Sequence, residues 1–208
     1  MAESYITAAR LGEAEYTDKK SRFIGHVQSV ANEEEAKAFI TSIRQKYADA
    51  THNVWAYTLR NGTVRWSDDG EPGGTSGQPT LSALKGAGLE DVCCVTTRYF
   101  GGILLGSGGL VRAYSNAARL AIQEAGVQRF SPWSRGVLEC PYSLYDRLCR
   151  ALTDRGARIE ESSFGASVEL ILSVPQGMET MVERCVTELS AGTVTPQFRD
   201  TVMRGTEE

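Results

Sequence analysis

The segment Thr96–Ile122, TTRYFGGILLGSGGLVRAYSNAARLAI, joins a strand pattern to a helix pattern through five glycines within nine residues. The preceding run, DVCCVTTRYF at residues 91–100, is apolar and β-branched, which predicts a buried strand. Apolar and small residues then recur at helical spacing and predict a helix from Leu110 to Ala125. Because glycine is costly to order, this density indicates a sharp turn or a close approach to the backbone.

The sequence on the N-terminal side of this segment predicts an α+β domain. Residues 21–30 alternate as a strand, and residues 32–50 form a helix pattern. That helix opens with a capping-box variant in which Asn32 precedes Glu35 by three residues. The Asn61-Gly62 pair predicts a hairpin turn between two strands, and a short helix is predicted around Pro79.

A change of pattern near residues 131–134, SPWS, predicts a division into domains at 1–133 and 134–208. Residues 134–208 read as strand, helix, strand, strand, helix and strand. This βαββαβ order is the ferredoxin-like plan, in which two helices cover one face of an antiparallel sheet.

Charge is distributed unevenly along the 208 residues, whose net charge is -4. Residues 1–135 carry 15 Lys or Arg against 14 Asp or Glu, whereas residues 136–208 carry 7 against 12. The acidic second part argues against a simple nucleic-acid coat, because nonspecific binding depends on neutralising phosphates. We expect no sequence-specific DNA binding.

Composition and the first residues predict a cytoplasmic protein without a membrane partner. No apolar run approaches the length that spans a bilayer, and MAESYITAAR lacks the regions of a signal peptide. The five cysteines include no CxxC pair, which favours reduced thiols. Two histidines are too few to indicate a zinc site.

Two glycine-rich loops, within residues 70–77 and 101–109, each lead into a predicted helix and are candidate anion sites. Neither matches a Walker loop or a dinucleotide fingerprint, so the glycines could equally serve tight turns and close packing. We predict no cofactor and no catalytic residue. Beside the second loop, Arg98, Arg112 and Arg119 occur without any acidic residue between them, which predicts a modest basic surface.

Three acidic residues, Asp68, Asp69 and Glu71, are candidate ligands for Mg²⁺, since hard cations bind carboxylate oxygens. The alternative is that they cap turns. His52 could act as a base, but no Ser or Cys nearby in the sequence supports a triad. We therefore expect His52 to orient a turn by hydrogen bonding.

Four segments, KKSRFIGHV, DATHNVWAY, SDDGEPGGTSGQP and TTRYFGGILLGSGGLVRAYSNAA, together resemble the IMPACT family, including its bacterial YigZ-type members. The resemblance covers most of residues 16–122, and the C-terminal part is similar to the small second domain of the bacterial members. Gly73 and Val54 depart from the family pattern, where Ser and Cys are more frequent. The signature aligns with Asp68, Asp69, Gly70, Glu71, Pro72, Gly74, Arg98, Tyr99, Phe100, Gly101, Gly102, Gly106, Gly108, Gly109 and Arg112.

The resemblance implies an N-terminal domain like the second domain of ribosomal protein S-five, and a C-terminal domain like the last domain of elongation factor G. It also implies an association with translation. We expect a noncatalytic regulatory protein that contacts RNA, the ribosome or a translation-regulatory protein. The expected contact residues are Arg98, Tyr99, Gly101, Gly102, Gly106, Gly108, Gly109, Arg112 and Arg119. The alternative is a Mg²⁺-dependent enzyme acting on a phosphorylated small molecule or nucleotide.

Overall fold

The computed structural model describes residues 3–206, which divide into two compact units, residues 5–129 and residues 130–206, with residues 3 and 4 belonging to the latter. The protein is α+β. The N-terminal unit contains β1 (Tyr5–Ala8), β2 (Gly12–Asp18), β3 (Ser21–Ser29), α1 (Glu33–Lys46), β4 (His52–Thr58), β5 (Val64–Ser67), α2 (Gly77–Gly86), β6 (Val92–Tyr99) and α3 (Ser107–Ala125).

An antiparallel sheet in the order β2-β3-β6-β4-β5 forms the centre of the N-terminal unit. Side chains of α1, including Phe39, Ile40 and Ile43, pack with Cys93 and Val95 of β6 in one apolar cluster. Helices α2 and α3 contribute to a second cluster that contains Cys94 of the same strand. Alternate residues of a strand point to opposite faces, so β6 is buried on both sides.

Helix α3 approaches the sheet closely because both surfaces carry small residues at the contact. A Cβ atom on Gly12 would lie 2.2 Å from the Ala121 carbonyl oxygen, and one on Gly25 would lie 2.5 Å from the Ala117 carbonyl oxygen. The apolar and small residues whose helical spacing predicted α3 form its buried face. Its buried residues include Leu110, Tyr114, Ala117, Ala118, Ala121 and Ile122.

Several local predictions for this unit are confirmed. The Asn32 side chain accepts a hydrogen bond from the Glu35 backbone at 2.9 Å, and the Glu35 carboxylate accepts one from the Ala31 backbone at 2.8 Å. Gly62 has a φ of 88° between β4 and β5, as its hairpin turn requires. Strands β1 and β2 were not predicted. A further strand, β7 (Val127–Cys140), begins here, and its first three residues belong to this unit.

The C-terminal unit has the βαββαβ order, formed by most of β7, then α4 (Tyr142–Thr153), β8 (Arg158–Phe164), β9 (Val168–Pro175), α5 (Glu179–Ser190) and β10 (Gln197–Thr206). Its strand order is β10-β7-β9-β8. Leu148, Leu152, Val182 and Val186 of the helices pack with the sheet in a separate core. The SPWS stretch lies within the continuous strand β7, and the domain boundary at residue 133 stays a prediction.

All five cysteines are free thiols, as predicted, and four of them are buried. Burial raises the pKa of Cys94 to about 12, so this thiol stays protonated at neutral pH. No helix within residues 3–206 is long and apolar enough to cross a bilayer.

Candidate functional site

The two glycine-rich segments of the sequence meet at Glu71, whose side chain is buried in the N-terminal unit. One oxygen of Glu71, Oε1, accepts hydrogen bonds from Arg98 Nη1 at 2.6 Å and from the Tyr114 hydroxyl at 2.7 Å. Arg98 is the penultimate residue of β6, and Tyr114 lies on α3. Glu71 therefore joins the first loop to the strand and the helix that flank the second loop.

Arg98 is not part of the predicted basic surface, because its side chain is drawn into the core by this carboxylate. Only 5% of the residue is exposed, and its guanidinium lies 5.5 Å from the ring centroids of both Phe23 and Phe100. Burial and the hydrogen bond to Glu71 raise the pKa of Tyr114, so its hydroxyl remains a donor. Arg112 and Arg119 are exposed, as predicted.

The other two acidic residues of the first loop have separate structural roles. The Asp68 carboxylate accepts from the backbone of Gly74, Ser76 and Gly77 and from the Ser76 hydroxyl, at 2.7 to 3.1 Å. It thereby caps α2. Burial acts to raise the pKa of Asp68, but these hydrogen bonds lower it below the usual value.

Asp69 lies on the side of the loop that faces α1 and β4. Its carboxylate accepts from Arg44 at 2.6 Å and from the Asn53 backbone at 2.7 Å. Asp69 has a φ of 48°, and its carbonyl oxygen lies 2.7 Å from His52 Nδ1. The prediction that His52 orients a turn by hydrogen bonding is confirmed.

The proposed Mg²⁺ ligands do not converge. Asp68, Asp69 and Glu71 are directed to the helix cap, to α1 and β4, and to β6 and α3, respectively. Among residues 3–206 the structure contains no group of three or more His, Cys, Asp or Glu side chains placed to hold a metal ion. These carboxylates organise the loop instead, which is the role that turn chemistry predicts for acidic residues.

Residues 100–106, which we call the crown loop, connect β6 to α3 and are held at both ends. The Phe100 backbone donates to the Thr51 hydroxyl at 3.1 Å, and the Gly101 backbone donates to the Ser21 hydroxyl at 3.2 Å. At the far end, Leu105 is buried in a cluster with Phe23, Leu110 and Tyr114.

The remaining large side chains of the crown loop point to solvent. Leu104 is 82% exposed, Phe100 45% and Ile103 42%. Val111, in the first turns of α3, is also exposed. Within residues 3–206, ten large hydrophobic side chains are exposed, and these four lie within 12 residues. A fixed loop with a concentrated apolar surface is typical of a contact site.

The predicted site residues occupy different positions around the crown loop. Tyr99 donates its hydroxyl to Asp49 at 2.7 Å. Gly102 and Gly106 have φ values of 82° and 72°, which favour glycine. Gly108 is exposed, whereas a Cβ atom on Gly109 would lie 2.9 Å from the Leu105 Cβ atom. The sequence did not single out Ser21 or the exposed side chains of Ile103 and Leu104, although the letters FGGILLG already showed an apolar run between glycines. No signal in the sequence predicted that Tyr114 would contact Glu71.

The chain is similar to known proteins along most of its length. The Impact N-terminal domain model matches residues 19–122, and the model of a domain of unknown function, DUF1949, matches residues 138–193. The IMPACT family member YvyE of Bacillus subtilis is 36% identical over 194 residues, which cover 92% of this chain and 89% of that protein. The chain belongs to the IMPACT family.

Two further relatives of this IMPACT family chain are similar along most of their length. The IMPACT family member YigZ of Escherichia coli is 34% identical over 180 residues, covering 85% of this chain and 88% of that protein. A solved structure described as the crystal structure of a hypothetical protein is 32% identical, with a TM-score of 0.62. The match covers 96% of this chain and 99% of the chain in that structure.

Proposed function

We propose that this chain is a noncatalytic binding protein of the translation apparatus and that the crown loop, with α3 as far as Arg119, is its contact surface. The observation that carries the proposal is the exposure of Phe100, Ile103 and Leu104 on a loop fixed at both ends. A fixed loop loses little conformational freedom on binding, and preorganisation of this kind favours affinity. Resemblance to the IMPACT family supplies the link to translation.

Charge around the crown loop fits an anionic partner. Residues 92–123 contain Arg98, Arg112 and Arg119 but no Asp or Glu. Because Arg98 is committed to Glu71, the exposed cations of this segment are Arg112 and Arg119. Ribosomes present both phosphate groups and acidic protein surfaces, and either can attract such a patch.

The enzyme alternative lacks a supporting observation. Its metal ligands would be Asp68, Asp69 and Glu71, and each of these carboxylates already accepts hydrogen bonds from two or more groups of the fold. Using them for Mg²⁺ would remove the cap of α2 or leave Arg98 buried without its counter-ion, which is costly.

We further propose that the N-terminal unit is similar to the second domain of ribosomal protein S-five. The C-terminal unit would be similar to the last, ferredoxin-like domain of elongation factor G. The strand order β10-β7-β9-β8 with two helices in its core supports the second likeness. We expect the protein to act in the cytoplasm.

Co-sedimentation of the purified protein with ribosomes over a series of salt concentrations tests the proposal. We expect wild-type protein to pellet with ribosomes at low salt and to be released as salt rises, because the cationic contacts are screened. Replacing both Arg112 and Arg119 by Ala should weaken association by about tenfold. Structured RNA in place of ribosomes separates an RNA contact from a protein contact.

A matched control removes the same number of charges elsewhere. Arg147 and Arg184 are exposed on the helices of the C-terminal unit, and replacing both by Ala should leave ribosome association unchanged. Failure of the wild-type protein to associate with ribosomes even at low salt would overturn the proposed function.

A further inference from the structure

We infer that the crown loop binds an acidic amphipathic segment of a protein partner, a peptide in which Asp or Glu flanks large apolar residues. This inference rests on the proposed function, because it names the chemistry of the partner at the same surface. Four features of the N-terminal unit support it: the exposed apolar side chains, their fixed backbone, the surrounding cations and the start of α3.

The apolar side chains favour a protein partner over RNA. Phe100, Ile103, Leu104 and Val111 are each more than one-third exposed. Phosphates and riboses cannot desolvate Ile or Leu favourably, whereas apolar side chains of a partner can. Nucleic-acid surfaces that use large side chains rely on aromatic stacking and a charged groove, and the most exposed residue here is the aliphatic Leu104.

The start of the loop is fixed, because Gly101 lies directly against the β2–β3 turn. A Cβ atom on Gly101 would be 2.0 Å from the Lys20 carbonyl carbon and 2.4 Å from the Ser21 nitrogen. The backbone hydrogen bond from Gly101 to Ser21 adds to this contact. The exposed residues therefore project from a fixed base.

The turn that supports the loop presents two lysines in an unfavourable conformation. Lys19 and Lys20 have φ values of 43° and 67°, where Asn and Gly are the usual residues of a two-residue hairpin turn. Residues other than glycine are strained in this region, and such strain often marks functional sites. Lysine at both positions places two cations beside the crown loop.

These cations remain available to a partner. Among residues 3–206, Lys19, Lys20 and Arg112 form no salt bridge. No side chain caps the start of α3 at Gly106, and the first turn contains no acidic residue. A helix N-terminus carries partial positive charge, so these three cations and the start of α3 are complementary to carboxylates.

Selection from a random peptide library, displayed on phage and carried out on the full chain, tests the inference. Peptides that also bind the Leu104→Asp variant are removed from the library. This variant keeps the loop but inserts a charge into the apolar surface. We expect the retained peptides to combine Asp or Glu with Leu, Ile or Phe. Synthetic versions should bind the wild type at least about tenfold more tightly than Leu104→Asp or Lys20→Glu.

The control variant is Leu11→Asp, which changes a comparably exposed leucine, 52% exposed, outside the crown loop and should bind like the wild type. Circular dichroism verifies that each variant is folded. Recovery of basic or uncharged peptides, or of no peptide dependent on Leu104, would overturn the inference. Binding of an RNA oligonucleotide or anionic vesicles that is lost in Leu104→Asp would also overturn it.

Ribosome co-sedimentation separates this inference from the proposed function. If the wild-type protein associates with ribosomes but no acidic peptide binds at the crown loop, the peptide-binding inference fails and the proposed function stands. If acidic peptides bind at the crown loop while ribosomes do not associate with any form of the protein, the proposed function fails and the peptide-binding inference stands.

Discussion

The Glu71 carboxylate and the Arg98 guanidinium form a buried ion pair, with 2.6 Å between Oε1 and Nη1. The two residues are 27 positions apart and belong to separate glycine-rich segments of the sequence. Their pairing, together with the hydrogen bond from Tyr114, fixes the base from which the crown loop projects. Arg98, which the sequence predicted to lie on a basic surface, instead supports the crown loop from the core.

Removing the carboxylate of this pair should destabilise the N-terminal unit strongly. Glu71→Ala leaves the Arg98 guanidinium buried without its counter-ion, and we expect a loss of about 3–5 kcal/mol in the free energy of unfolding, measured with urea. The control is Glu15→Ala, which breaks an exposed pair with Arg22 and should cost less than about 1 kcal/mol. Equal losses in the two variants would contradict the buried-pair interpretation.

Replacing Asp68 by Asn should weaken the start of α2 at neutral pH. The carboxylate accepts hydrogen bonds from Gly74, Ser76 and Gly77, and we expect the substitution to cost about 1–3 kcal/mol of unfolding free energy. Glu124 is an exposed carboxylate on α3, so Glu124→Gln serves as the control with little expected change.

The Asp68 contribution should also depend on pH. Because the pKa of Asp68 is lowered in the folded chain, its stabilising effect is complete above the unfolded value, about 4, and disappears as pH falls through the lower folded value. The difference in unfolding free energy between wild type and Asp68→Asn should therefore shrink in acid. A difference that stays constant from neutral to strongly acidic pH would contradict this assignment.

The sequence predicted elements whose signals are local. The capping box at Asn32 and the Asn61-Gly62 turn involve residues a few positions apart, and both occur as expected. Strand β1 is only four residues long. Strand β2, GEAEYTD, lies at a sheet edge, and one of its faces is exposed and carries charged residues. Strand β1 is too short to show a pattern, and β2 alternates with only Ala14 and Tyr16 as apolar residues, which is a weak strand signal.

The site was harder to predict because its contacts are distant in sequence. Arg98 follows an apolar run and precedes glycines, and this context was interpreted as a surface position. The run VCCVTTR in fact fills a central strand buried on both faces, a pattern in which an arginine needs a buried partner. The sequence does not show that this partner is Glu71 and not a ligand, because the pairing depends on how the sheet and α3 pack together.

Buried His26 should make the stability of the N-terminal unit sensitive to mild acid. His26 is fully buried on β3, and burial lowers its pKa although the nearby Glu13 carboxylate acts to raise it. As pH falls below about 6.5, the unfolded chain takes up a proton that the folded chain does not, so the free energy of unfolding decreases.

Comparing wild type with His26→Gln isolates this effect. The unfolding free energy of the wild type, relative to the variant, should fall between about pH 7.5 and about pH 5.5. Glu13→Gln removes the carboxylate that lies 3.3 Å from His26 Nε2 and should deepen the fall. A relative stability that rises in acid would instead mean that protonated His26 pairs favourably with Glu13.

Placing a methyl group on Gly101 should detach the crown loop from its support. The added Cβ atom would meet the backbone of Lys20 at 2.0 Å, so Gly101→Ala should cost about 1–3 kcal/mol and speed chymotrypsin cleavage at Phe100 and Leu104. Gly73→Ala is the matched control, because a Cβ atom there has no neighbour within 4 Å. If Gly101→Ala matched Gly73→Ala in both unfolding free energy and cleavage rate, the crown loop would not depend on this contact.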